Sequence, residues 1–143
     1  MKKIFIIIGS LVAGISIKAQ TTDLVISVSN IKSPKGIIEI GLFDNKADFL
    51  KPGKASKTQR FEVTSVKQVF VLKDIKPGQY AVSLYHDING DGKCNLNGLG
   101  IPQEGFGFSN NVKPLLSAPQ FDACRFCCAP LPSNVLAIRL INM

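Results

Sequence analysis

The only histidine of the 143-residue chain, His86, opens a stretch that carries Asp87, Asn89, Asp91, Gly92 and Asn95 in quick succession. Oxygen-bearing side chains at alternate positions converge on one point when the backbone coils, and a glycine in the sixth place permits the sharp bend. With Asp87 in the first place, Asn89 and Asp91 fall third and fifth. Lys93 offers its backbone carbonyl in the seventh and Asn95 its side chain in the ninth. That is the opening of a calcium loop. Calcium takes about 6–8 oxygens, and an EF-hand supplies a bidentate Glu in the twelfth place; here that residue is Gly98. The flanks read as strand and loop, so the stretch is no EF-hand but fits a calcium loop grafted onto a β-scaffold. Glu104, the one carboxylate close downstream, is expected to fold back and complete the set Asp87, Asn89, Asp91, Lys93, Asn95 and Glu104. The same residue types also close on themselves through Asx hydrogen bonds without any cation. The sequence leaves both readings open.

His86, Asp87 and Glu104 are also the only candidates for acid–base chemistry. They are neighbours in one stretch, and no Ser/His/Asp set, paired acid–base carboxylates or phosphate-binding loop accompanies them. A second cluster is Cys124-Arg125-Phe126-Cys127-Cys128, which with Cys94 makes four cysteines. Its C-x-x-C spacing would serve redox chemistry if a helix N-terminus lowered a thiol pKa, or zinc if Cys94 or His86 gave a fourth ligand. Neither context is evident. On a strand, Cys124, Phe126 and Cys128 would share a face while Cys127 points the other way with Arg125. The plain expectation is buried free thiols or one structural disulfide, such as Cys94 to the cluster.

The elements that must position these residues are strands. Asp23–Ser29, Ile37–Phe43, Gln59–Val63, Gln68–Leu72, Tyr80–Tyr85, Phe121–Ala129 and Val135–Ile141 have the apolar alternation or β-rich composition of short strands. Asp44–Leu50 is expected to make one short helical turn capped by Asp44 or Asn45. About seven short strands with little helix predict an all-β fold, a single antiparallel β-sandwich of Ig-like or prealbumin-like type, carrying one long Asp/Asn/Gly-rich loop. In the aromatic-glycine tail Gly105-Phe106-Gly107-Phe108, the two rings are expected to pin the loop onto the core rather than face outward for a sugar or peptide.

Residues 1–19 read as a secretory signal peptide: Lys2 and Lys3, an apolar run from Ile4 to Ile17, and Ala19 before the cut at Gln20. The run is shorter than the roughly 20 residues of a spanning helix. Residues 20–143 then form a single domain in the periplasm or outside the cell. Its charge falls from +7 to +4 on losing Lys2, Lys3 and Lys18 (7 − 3 = 4). The cations are scattered singly, without the runs or aromatic interleaving of a nucleic-acid surface. Four cysteines in an exported chain would be free to pair.

Two resemblances follow from these residues. Pro77-Gly78 followed by Tyr80 and a strand is similar to the lead-in of transthyretin-like domains. More extensively, Pro77–Ala81, then His86–Gly92, then Gly100–Asn110 resemble the signature of the DUF2141 family. The early turn at Lys35-Gly36 fits as well. The resemblance implies an exported bacterial β-sandwich with no assigned reaction. The family commonly carries Asp where this chain has Asn95, which removes one charge from any cation shell. Together these readings predict an exported, non-enzymatic module, calcium-stabilised or not, that acts in binding or envelope structure. The expected partners are protein, glycan or envelope, with neither nucleic acid nor a membrane span. The alternative is a hydrolase-like or redox enzyme using His86 or Cys124–Cys128.

Overall fold

A computed structural model describes residues 18–143. The expected leader falls almost wholly in residues 1–17, outside the described residues. The elements are β1 (Thr22–Ser29), β2 (Ile37–Phe43), β3 (Lys57–Glu62), β4 (Gln68–Ile75), β5 (Gly78–Asp87), β6 (Phe106–Phe108), a four-residue helix α1 (Phe121–Cys124), β7 (Phe126–Cys128) and β8 (Ser133–Arg139). Among the described residues the fold is all-β, with eight strands in two sheets. One sheet runs β4-β1-β8. The other runs β3-β2-β5-β6, with β7 also on β5.

Alternation explains how the sheets meet. Leu24, Ile26 and Val28 of β1, Ile38, Ile40 and Leu42 of β2, and Val82 and Leu84 of β5 all turn inward. They form one cluster with Phe70, Leu72 and Ile138, so both sheets bury a common core. Full burial of each such aliphatic side chain contributes about 1.5–3 kcal/mol. A smaller cluster of Phe43, Ala81, Phe121 and Cys124 covers the outer face of β5, with Phe49 in edge contact with Phe43 and Phe121.

Four expectations need correction. The sheets are not antiparallel throughout: β8 pairs with β1 in parallel, Asp23 opposite Ser133 through Ser29 opposite Arg139. The Pro130–Pro132 turn delivers the chain beside the start of β1, where Asp23 N–H donates to the Pro132 carbonyl, so β8 must run the same way. Phe121–Ala129 is not one strand. Phe121 and Cys124 bury one face of the short helix α1, whose Ala123 and Cys124 N–H groups donate to the Gln120 carbonyl, and only Phe126–Cys128 is extended. Residues 46–50 form turns rather than a helical turn, and of the two proposed caps it is Asn45 that accepts from Asp48 N–H, at 2.9 Å. Phe106–Phe108, expected as loop, is a strand on β5.

That last strand closes the edge of β5. One side of β5 pairs with β2 along Phe43↔Ala81 to Ile37↔Asp87. The other side meets β7 at Gly78–Tyr80 and β6 at Ser83–Tyr85. Between them Ser109 Oγ accepts from Val82 N–H at 2.9 Å. The aromatic tail therefore packs on the outer face of β5: Phe106, opposite Tyr85, is buried, Phe108, opposite Ser83, packs against the smaller cluster, and the two rings meet edge-on at 5.9 Å.

Candidate functional site: a loop closed on Asp87

Strand period decides what His86 and Asp87 can do. Consecutive residues of β5 point to opposite faces. His86 lies opposite Ile38 and follows Val82 and Leu84 inward; it is fully buried. Its Nε2 is 2.6 Å from the Lys35 carbonyl, which only accepts, so Nε2 carries the proton. Nδ1 is also buried and, among the described residues, has no hydrogen-bond partner. Asp87 faces the outer side, the side of Tyr85, Glu39 and Arg60. The two residues that could have worked as an acid–base pair are thus separated by the sheet.

Asp87 is fully buried, and its carboxylate organises the loop. Oδ1 accepts from Gly90 N–H at 2.8 Å and Asp91 N–H at 3.1 Å. Oδ2 accepts from Gly92 N–H at 2.9 Å and Arg60 Nη2 at 2.8 Å. A carboxylate has about four lone-pair positions, and each now faces a donor. Gly90 (φ 74°) and Gly92 (φ 76°) let the chain coil round the group. Arg60 also donates through Nη1 to Glu39, at 2.8 Å. Its pKa is raised, first by the hydrogen bond to Asp87. Burial pushes the neighbouring Tyr85 phenol up to about 12, with the Glu39 charge adding to the effect.

The other sequence-predicted residues occupy an outer and a lower tier. Asn89 and Asp91 are exposed. Asn89 Nδ2 donates to Asp91 Oδ2 at 3.3 Å, and Asp91 Oδ1 accepts from Lys93 N–H at 2.9 Å. That N–H bond is the main reason the Asp91 carboxyl titrates below its ordinary range. Glu104 does fold back. Its Oε1 accepts from Ile88 N–H at 3.2 Å and its Oε2 from Asn95 N–H at 3.4 Å. The Asn95 carbonyl in turn accepts from Gln103 N–H at 2.7 Å. Asn97, the alternative to Asn95 in the expected oxygen set, closes the tip by accepting from Leu99 and Ile101 N–H groups.

The six residues are thus brought to one loop, with the carboxylate oxygens of Asp87 and Glu104 turned toward N–H donors. Among the described residues no group of three or more His, Cys, Asp or Glu is placed to hold a metal ion. The partners of the Asp87 carboxylate are three backbone N–H groups and a guanidinium. Arg60, Glu39 and the Lys35 carbonyl escaped the sequence reading. Arg60 and Glu39 were visible as charges on strands, but their meeting depends on a register, Glu39↔Arg60 and Glu39↔Tyr85, that no spacing encodes.

All four cysteines are free thiols, with Cys124 and Cys128 buried and Cys127 exposed. Burial pushes Cys124 and Cys128 up to about 11, and Cys94 is also raised, first by burial and then by Glu104. Redox nucleophiles need the opposite shift. An aromatic disulfide reagent at neutral pH should modify Cys127 promptly, and Cys124 and Cys128 only after denaturation; equal rates for all three would contradict this packing. The two raised thiols also set an alkaline limit. Their folded pKa lies above the unfolded value of about 9, so the unfolded chain loses protons first as pH rises. Their contribution to stability is complete below about pH 9 and is lost by about pH 11, which urea midpoints across that range will show.

The fold and site define a class: a two-sheet β-domain whose long loop is closed from within by a buried carboxylate. Residues 26–134 match the family described as "uncharacterized protein conserved in bacteria" (DUF2141), and the chain belongs to that family. No curated protein and no solved structure matches it.

Proposed function

We propose that the protein is an exported, non-enzymatic module, in the periplasm or outside the cell, that presents the loop between Asp87 and Glu104 as a rigid polar surface to a protein, glycan or envelope partner. The observation that carries this reading is the complete use of the Asp87 carboxylate inside the loop. Its four donors fix the backbone and leave the side chains of Asn89, Asp91 and Lys93 outside, where a partner meets them already ordered. Enzymatic readings have less support, because His86 is buried with Nε2 committed to Lys35 and the buried thiols are raised. Within the same reading, the two sheets form a prealbumin-like sandwich. The Tyr80 hydroxyl supports it by donating to the Lys76 carbonyl at 2.8 Å while its ring packs against the core.

Photo-crosslinking in the cell tests the presentation. A crosslinker at Lys93 should form adducts that the same group at Lys73 does not, and protease or glycosidase digestion then identifies the partner's class. Equal adducts at both positions, or none at Lys93, would reject it. The loop should also stand without a cation, since Arg60 already supplies positive charge at Asp87. Millimolar calcium or a chelator should leave the melting midpoint within about 1 °C. A rise of several degrees with calcium would restore the cation reading for Asp87, Asn89, Asp91, Lys93, Asn95 and Glu104.

A further inference from the structure

The loop after β6 carries a feature that the Asp87 site does not use. Leu115 and Leu116 are 92% and 103% exposed. They stand in Pro114-Leu115-Leu116-Ser117-Ala118-Pro119, a tip without charge. The base of the loop is firmly held. Asn110 Nδ2 donates to the Ala123 and Arg125 carbonyls. The Asn111 side chain brackets β8, donating to the Ala137 carbonyl at 3.0 Å and accepting from Arg139 N–H at 2.8 Å. Both asparagines take left-handed backbone angles, φ 61° and 52°. Beyond this clamped base the chain carries both leucines in solvent.

The surroundings are cationic. Lys113 is the one charged residue between Gly105 and Phe121. It shares with Arg139 the wall of a hollow of about 390 Å³, along with Phe108, Val112 and Leu140. Among the described residues no carboxylate lines this hollow or the adjoining one under the tip. Among the described residues neither Lys113 nor Arg139 makes an ion pair. Two fully exposed leucines on an uncharged tip, close in sequence to the unpaired Lys113, suit an interface that is apolar inside and anionic at its surface. The tip is too small for a stable protein interface, which takes roughly 800 Å² from each partner; a fluid layer closes round it instead.

We propose that this tip is a membrane-docking element: Leu115 and Leu116 enter the acyl boundary of an anionic bilayer while Lys113 and Arg139 meet its headgroups. The surface is separate from the Asp87 loop and does not rest on that loop's role. Vesicle co-sedimentation of the processed chain, residues 20–143, tests it with vesicles of phosphatidylcholine alone or mixed with phosphatidylglycerol. Binding should favour the anionic vesicles and weaken as salt rises from about 0.05 to 0.5 M. The double substitution Leu115→Ser, Leu116→Ser should lower the partition coefficient by roughly tenfold or more. Lys113→Glu with Arg139→Glu should abolish the preference for anionic vesicles. All four side chains are at the surface, and an unchanged urea midpoint checks that the variants fold. Val135→Ser, on the exposed face of β8, should leave binding unchanged. Absence of binding to anionic vesicles, or binding that the serine pair leaves intact, would overturn the proposal. So would leucine-dependent self-association without vesicles, which would assign the tip to a second copy of the chain.

Discussion

Replacing Asp87 with Ala should destabilise the protein by about 3 kcal/mol and release the loop from residue 88 to residue 97. Three backbone N–H groups lose their acceptor at once, and each hydrogen bond to a charged group contributes about 1.5–3 kcal/mol where water is excluded. The donors belong to exposed residues, so water can reach Gly90, Asp91 and Gly92 once the loop loosens, and the full sum is not lost. Arg60 is about one-third exposed, so its share is small after solvent screening. Asp87→Asn should recover little. Its oxygen can serve two N–H groups, but the amide nitrogen must then face Gly92 N–H or Arg60, donor against donor. Urea denaturation gives the stability change, and amide exchange at residues 90–92 gives the loop. A loss below about 1 kcal/mol, with protection retained, would show that the coil holds without its carboxylate. Asn89→Ala and Asp91→Ala, at the exposed tier, serve as the mild comparison.

The second large effect is expected from a residue outside the loop. Gly36 has φ +79°, and a Cβ there would lie 2.5 Å from the Asp87 carbonyl oxygen and 2.8 Å from Ile88 Cα. Both are backbone atoms, so no side chain can swing away. Gly36→Ala should therefore cost about 3 kcal/mol or more. The left-handed conformation accounts for roughly 1–2 kcal/mol, and forcing the end of β5 away from its neighbour accounts for the rest. Gly53→Ala separates the two terms. Gly53 also has positive φ, +71°, but its Cβ would meet nothing within 4 Å; that substitution should cost only the conformational part. Equal losses at the two positions would show that the close approach at Asp87 does not matter. The expected pattern is a large fall in the urea midpoint for Gly36→Ala, with faster exchange in the Asp87 loop, and a small fall for Gly53→Ala with the loop intact.

Much of this was legible in the residues. Along β1 the inner face reads plainly as Leu24, Ile26 and Val28, and it stays legible although the outer face mixes apolar Val25 with polar Ser27. The Asp/Asn/Gly spacing located the coil, and the downstream carboxylate at Glu104 returned to it. The identity of the groups on Asp87 was not legible. Spacing says that oxygens converge, but whether they converge on a cation or on N–H donors depends on what the neighbouring strands bring. Arg60 arrives from β3 through β2, two strands away, by a pairing fixed only in the folded sheet. Phe121–Cys124 was misread for a related reason: over four residues, apolar spacing suits a helix turn and a strand alike, and the Gln120 carbonyl decided between them. The parallel pairing of β8 was hidden because alternation reveals a face and never a direction.

That pairing has a consequence for how the molecule comes into being. β1 is the middle strand of its sheet, and one of its two neighbours is the last strand of the chain. Asn30, just past β1, is likewise tied to the Leu140 carbonyl across 110 positions. The first strand to leave the ribosome thus waits for β8. Closing so long a loop before its contacts form slows folding, because the logarithm of the rate falls as contact order rises. Until β8 is made, β1 can pair only with β4, so the three-stranded sheet closes last.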